Sequence, residues 1–267
     1  MLQQIKEATA FIQEKIDGFV PEAGIILGTG LGGLVEHIDI LHSIDYASIP
    51  HFPISTVEGH TGRLIFGMLG GKRIVAMQGR FHYYEGYTPQ QVVFPVRVMK
   101  FLGISRLFVS NASGGTNPSF RVGDLMVITD HINLIPNPLI GPNIDELGPR
   151  FPDMRDAYDP ALISLATQIA EENKIKLQYG CYVSLTGPTF ETPHEYGYVR
   201  AIGGDTVGMS TTPEIIAARH MGIPCFGVSI ITDLATDNSV SHEEVQAQGK
   251  KAEKEMTRLF VGMLERL

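Results

Sequence analysis

The stretch AGIILGTGLGG, residues 23–33, decides between two kinds of α/β fold. Its first five residues form an apolar run stopped by glycine, which predicts a buried strand. In the loop that follows, Gly28, Gly30 and Gly33 satisfy G-x-G-x-x-G, the spacing of a dinucleotide-binding turn. That fold needs a helix opening inside the glycines, a second strand, and an acidic residue about 20 positions on. The sequence downstream, HIDILHSIDYASIPHFP (37–53), has no clear helix and carries Pro50 and Pro53 in the wrong places. On this motif alone, an ordinary strand-to-loop turn and a cofactor loop stand level. In either case the loop offers backbone N–H groups beside the Thr29 hydroxyl, an arrangement that suits an anion.

Strands and helices alternate on both sides of this stretch, which predicts an α/β fold. The 267 residues fit one large domain, 1–267, with no repeat or linker to divide it. Residues 1–19 have the periodicity of an amphipathic helix, and 34–63 reads as loop with short strand pieces. The runs 64–68 and 73–77 flank a Gly-Gly turn and predict a hairpin. Thr88 and Pro89 open a helix that Pro95 should kink. Strands are expected at 106–110 and 124–129, with a polar loop NASGG (111–115) after the first. A long Gly/Pro-rich loop over 136–160 is functional or disordered in a domain of this kind. Helices follow at 160–173 and 193–202, with an extended segment at 176–185 between them. A helix start at Ser210–Thr212 leads into 213–221, a central strand runs over 224–232, and a last helix occupies 242–267.

Composition narrows the function. Hydrophobic residues make up 43% and charged residues 19%, so the chain has material for a core and is not disordered. A net charge of −8 excludes nucleic acid and anionic membrane surfaces as natural partners, so a small anion must be held by a few local donors. Cys181 and Cys225 have neither CxxC spacing nor a His/Cys cluster, which argues against a zinc site or a disulfide framework. With no apolar run near membrane-span length and no signal-peptide layout, the expectation is a cytoplasmic protein.

Several loops carry chemistry. In QGRFHYYEGY (78–87), an extended backbone puts Arg80, His82 and Tyr84 on one side, with Glu85 able to orient the histidine. The plain alternative is an Arg80–Glu85 pair in a polar loop. Asn111 to Gly115 could face a ligand with bare backbone or be an ordinary turn. TGPTFETP (186–193) sets Phe190 beside Glu191, a ring face and a carboxylate suited to a heterocycle with N–H donors, although a loop Phe plugging the core is commoner. Ser210 is a helix cap first and a phosphate ligand second. Asp233 follows the central strand, where α/β sheets gather ligands.

Taken together, GTGLGG, VEGHTGRL (57–64), QGRFHYYEGY, NASGG, DHINL (130–134), RFPDM (150–154), GPTFET, VGMSTTPE (207–214) and the end of the SIIT strand resemble the trimeric purine nucleoside phosphorylases. The resemblance implies a mixed, partly barrel-like β-sheet surrounded by helices, and no nicotinamide. It makes Thr29, Arg80, His82, the backbone of Ala112 and Ser210 the phosphate ligands, with His60 close by. Tyr84, Met209 and His242 fall at ribose positions, and Phe190, Glu191, Val207 and Asp233 at base positions. His82, Glu191 and Asp233 are the expected catalytic residues. Phe151 matches a residue lent to the neighbouring subunit of a homotrimer. Inorganic phosphate is then a co-substrate, with no cofactor and no metal, and the reaction is phosphorolysis of a purine nucleoside.

One position departs from the pattern. The 6-oxopurine-specific members usually carry Asn where this chain has Asp233, and an ionised Asp only accepts hydrogen bonds. Burial would favour the protonated form, which can donate to N7; the ionised form suits the 6-amino group of adenine, as in the related methylthioadenosine phosphorylases. Those enzymes lack the glutamate matched by Glu191, so 6-oxopurine activity with some tolerance of adenosine is expected. A methylthioadenosine- or adenosine-preferring phosphorylase, a nucleoside-binding protein without turnover and a nicotinamide dehydrogenase are the alternatives.

Overall fold

A computed structural model describes residues 1–28, 31–54, 56, 61–235 and 241–267; Thr29 and His60 lie outside them. The opening helix α1 (Leu2–Lys15) buries Ile5, Ala8 and Ile12 on one face. Each fully buried Ile contributes about 1.5–3 kcal/mol. The strand β1 (Ala23–Ile26) follows, as its apolar run predicts. The glycine loop then enters a short 3₁₀ turn, Gly32–His37, and not the helix of a dinucleotide fold. The Gly33 amide donates to the Glu253 carboxylate, and a Cβ at Gly33 would collide with that carboxylate. This glycine serves packing against the C-terminal helix.

Where loop with short strand pieces is expected over 34–63, one piece is a full seven-residue strand, β2 (Asp39–Asp45). It escapes the pattern because it is an edge strand with mostly exposed residues, bulged between Ile40 and His42. It pairs with β3 (Arg63–Leu69), which makes the expected hairpin with β4 (Lys72–Gln78). Thr88 caps α2 (Pro89–Val92), accepting from the Gln91 N–H. Pro95 has no N–H to continue that helix, so the chain breaks at Val93 and restarts as α3 (Phe94–Leu102).

The strand β5 (Arg106–Gly115) runs through NASGG, so these five residues are strand end and not loop. Their small polar side chains hide a ladder that pairs in parallel with the last strand. Next come β6 (Leu125–Asn133), the irregular 136–160 segment, α4 (Pro160–Asn173), β7 (Leu177–Ser184) and α5 (Pro193–Ala201). The three-residue strand β8 (Thr206–Gly208), too short to read from periodicity, precedes α6 (Thr212–His220). β9 (Cys225–Leu234) includes Asp233, which the sequence suggests should follow the strand, and α7 (His242–Glu265) ends the fold.

The described strands form one mixed sheet in the order β2-β3-β4-β1-β5-β8-β7-β6-β9, and a further β5–β9 pairing closes five of them into a barrel. Alternation along β1 and β4 sends Ile26, Val75 and Met77 toward α1 and α3, and Ile25, Ile74 and Ala76 toward α4 and α7. Both faces are covered, which is why these strands read as unbroken apolar runs. No helix among the described residues is long and apolar enough to cross a membrane.

Candidate functional site

A cavity of about 510 Å³ opens where β5, β8 and β9 reach their C-terminal ends. It is lined by Arg80, His82, Tyr84, Ala112, Phe190, Glu191, Val207, Met209, Ser210, Asp233 and His242. Six separate parts of the chain, loops and strand ends among them, thus meet in one space.

Arg80 leaves β4 just after Gly79 and is buried, with 1% exposure. It does not pair with Glu85. Its Nε and Nη2 donate to the two oxygens of Glu214, at 3.2 and 2.6 Å, and Nη1 donates to the Ser110 carbonyl at 2.7 Å. This two-toothed pairing fixes the plane of the guanidinium. Glu214 sits in the first turn of α6 among Pro213, Ile215, Ile216 and Ala217, all buried. A carboxylate there demands a partner.

Glu85 accepts from the His82 ring at 3.0 Å, from the His82 backbone at 2.8 Å, and from the Thr56 N–H at 3.0 Å. Burial alone would raise its carboxyl, yet the bonds from His82 and Thr56 hold it down at about 2. An ionised carboxylate only accepts, so His82 Nδ1 must carry the proton that points at it. Burial lowers the His82 pKa ahead of the opposing pull of Glu85, which favours the neutral ring. The Nε2 lone pair then accepts, as from a P–OH group. Tyr84 stacks on His82 with ring centroids 4.7 Å apart.

Ser210 is not the helix cap; Thr211 occupies that position and caps no N–H with its side chain. Thr211 has φ +72° and ψ −57°, and the Thr212 N–H donates to the Ser210 carbonyl at 2.8 Å. These are the marks of a φ-positive γ-turn, a strained shape for a β-branched residue. It persists because Asn111 Nδ2 donates to Thr211 Oγ1 at 2.8 Å and Ser184 Oγ to the Ser210 carbonyl at 2.8 Å. The turn carries Ser210 onto the cavity wall.

At the other end, Phe190 and Glu191 come from the loop before α5. Phe190 keeps 39% exposure. Burial pushes the Glu191 carboxyl up to about 7, helped by the charges of Asp233 and Glu195. Asp233 accepts from the Tyr196 hydroxyl at 3.0 Å and from the Thr232 hydroxyl at 2.9 Å. Hydroxyls therefore meet both oxygens of Asp233. His242, at the start of α7, has its Nε2 2.9 Å from Gln246 Nε2.

Phe151 does not join this cavity. It is 88% exposed on the 136–160 segment and lines a second depression with His131, Asn137, Ile140 and Met154. Among the described residues no group of His, Cys, Asp and Glu is arranged to hold a metal ion.

A model of the phosphorylase superfamily matches residues 22–265. The purine nucleoside phosphorylase 1 of Bacillus subtilis is 51% identical over 255 residues, covering 94% of each chain. The chain belongs to the purine nucleoside phosphorylase family. The Bos taurus member is 49% identical over 91% of this chain and 88% of its own. Solved Schistosoma mansoni purine nucleoside phosphorylases superpose with a TM-score of 0.94: one in complex with adenosine, at 44% identity, covers 100% of this chain and 98% of its own, and one in complex with inosine, at 43%, covers 100% and 97%.

Three residues that shape this cavity went unmarked in the sequence. Glu214 reads as a routine first-turn acid, Thr211 as a cap, and Tyr196 as one aromatic on a helix. The signal for Glu214 was available: a lone charge inside the apolar run of α6.

Proposed function

We propose that the protein cleaves purine nucleosides with inorganic phosphate, yielding the free base and ribose or deoxyribose 1-phosphate. The observation that carries this is the single cavity with Arg80, His82, Ala112 and Ser210 at one end and Phe190, Glu191 and Asp233 at the other. A phosphate oxygen bonds to C1′ as the C1′–N9 bond breaks. The electron pair of that bond goes to the purine, which takes up a proton. Cationic charge on the sugar is then stabilised by the anion beneath it. Arg80 and Ser210 hold the phosphate, with His82 accepting its proton; the family resemblance adds Thr29 as a phosphate ligand, with His60 close by. Tyr84, Met209 and His242 surround the ribose. Phe190 and Val207 clamp the base, and Glu191 takes the N1–H of a 6-oxopurine.

Relatives solved with inosine, hypoxanthine and guanosine favour 6-oxopurine substrates over a methylthioadenosine- or adenosine-preferring enzyme. A binding protein without turnover would have no use for a buried arginine on the cavity wall beside His82 and Ser210. The active form is a cytoplasmic homotrimer in which the exposed Phe151 enters a neighbour's pocket. The test is hypoxanthine release from inosine, expected only when phosphate is added; release without phosphate, or none with it, overturns the proposal.

A further inference from the structure

Tyr196 lies in α5, one turn beyond Glu191, and is buried with 8% exposure against Val183, Val199 and Val207. It does not line the cavity, yet its hydroxyl reaches both acids that do. It donates to Asp233 Oδ2 at 3.0 Å, and it stands near enough to Glu191 to hold that carboxyl down against the larger effect of burial. The link is close-fitting: a Cβ at Gly114 would stand 2.8 Å from Asp233 Oδ2 and 3.1 Å from the Tyr196 oxygen. Glycine at 114 is what makes room for it.

The two purine classes present opposite patterns. A 6-oxopurine shows an N1–H donor and an O6 acceptor, whereas adenine shows an N1 acceptor and a 6-amino donor. With Glu191 ionised and Asp233 protonated, the pair matches the first pattern. When Asp233 is ionised and Glu191 protonated, it matches the second. Both complexes need one proton on the pair, in different places. We propose that Tyr196 is a specificity-determining positioning residue: it joins Glu191 and Asp233 so that they share one proton, whose position admits 6-aminopurine as well as 6-oxopurine nucleosides.

This rests on the phosphorolysis reading above. The charged neighbours of Glu191 are Asp233 on β9 and Glu195 on α5, both raising its pKa, which stands at about 7. Glu191 can therefore carry the shared proton near neutral pH, beside an Asp233 that accepts two hydroxyls. Coupled acids of this kind titrate as a pair.

The experiment measures kcat/KM for inosine and adenosine, at saturating phosphate, in the native enzyme, Tyr196→Phe, Asp233→Asn and the double variant. The native enzyme is expected to release adenine in a phosphate-dependent reaction. Both its pH profiles should fall together above about pH 7, where the pair loses its shared proton. Tyr196→Phe should raise the inosine-to-adenosine ratio about tenfold by removing a donor that favours ionised Asp233. Asp233→Asn should raise it at least as far, and the double variant should match Asp233→Asn within about twofold, because Tyr196 acts through Asp233. A structural role alone would lower both substrates equally and leave the ratio unmoved, which overturns the inference. So does a native enzyme that cleaves inosine and not adenosine, a result that leaves the proposed function intact. Failure with both nucleosides overturns the proposed function itself. Should Tyr196→Phe not fold, Asp233→Asn decides: its inosine profile must lose the alkaline fall, and persistence of that fall overturns the inference.

Discussion

The two ends of the cavity are built in different ways. At the proposed phosphate end the functional groups leave strand ends and are locked by buried partners: Arg80 by Glu214 and Ser110, His82 by Glu85, and Ser210 by a strained turn pinned from β5 and β7. The proposed base end hangs on the loop before α5, where Phe190 stays partly exposed and burial raises the Glu191 carboxyl to about 7. The difference teaches where rigidity is useful. Phosphate, the proposed co-substrate, is the same in every turnover and suits a fixed cradle, whereas a purine that varies at its 6-position, as proposed, suits groups that can change their proton.

The strongest way to break this contrast is to strip the phosphate end of its lock. Glu214→Ala leaves the Arg80 guanidinium buried without its carboxylate, which should cost about 3–5 kcal/mol of stability. Thermal unfolding and the KM for phosphate are the measurements; an unchanged melting temperature would show the pair to be dispensable. Next in size, Glu191→Gln should lower kcat/KM for inosine by about 10–100-fold through loss of a charged acceptor, with the phosphate KM unchanged. Adenosine should suffer less, because the glutamine amide can donate to N1. Equal losses for both nucleosides would remove the distinction between the ends.

The smallest expected effect is in proton linkage, and here the two ends have opposite signs. Glu85, held at about 2 against the ordinary 4.5, contributes stability that is present above about pH 4.5 and is lost as pH falls toward 2. Glu191, raised to about 7, favours the folded state most below pH 4.5 and loses that contribution as pH rises through 7. Melting temperatures of Glu85→Gln and Glu191→Gln against pH should therefore diverge from the native curve in different windows, by about 2–4 °C. Curves parallel to the native one at both ends would contradict the assignment.

Much of the fold was legible because its local devices are local. The Thr88-Pro89 helix start, the break at Pro95, the hairpin at Gly70-Gly71 and the inner face of α7 depend on residues a few positions apart. The elements that escaped notice lack that locality. β2 is an exposed edge, β8 has three residues, and the NASGG end of β5 is strand only because β9 lies alongside it. The site shows the same division. Arg80, His82, Glu191 and Asp233 stand out by residue type after strands and turns, while Tyr196 and Glu214 matter through partners 37 and 134 positions away.

By itself the sequence determined the alternation of strands and helices, the acidic surface that turns away polyanions, and the series of motifs that marks the family. Tertiary structure alone decided which acid meets which base: that Arg80 takes Glu214 and leaves Glu85 to His82, and that Tyr196 bridges to Asp233. The reason is physical. Periodicity and turn chemistry act over a few residues, whereas the charge state of a buried group depends on what closing the barrel brings within about 3 Å of it.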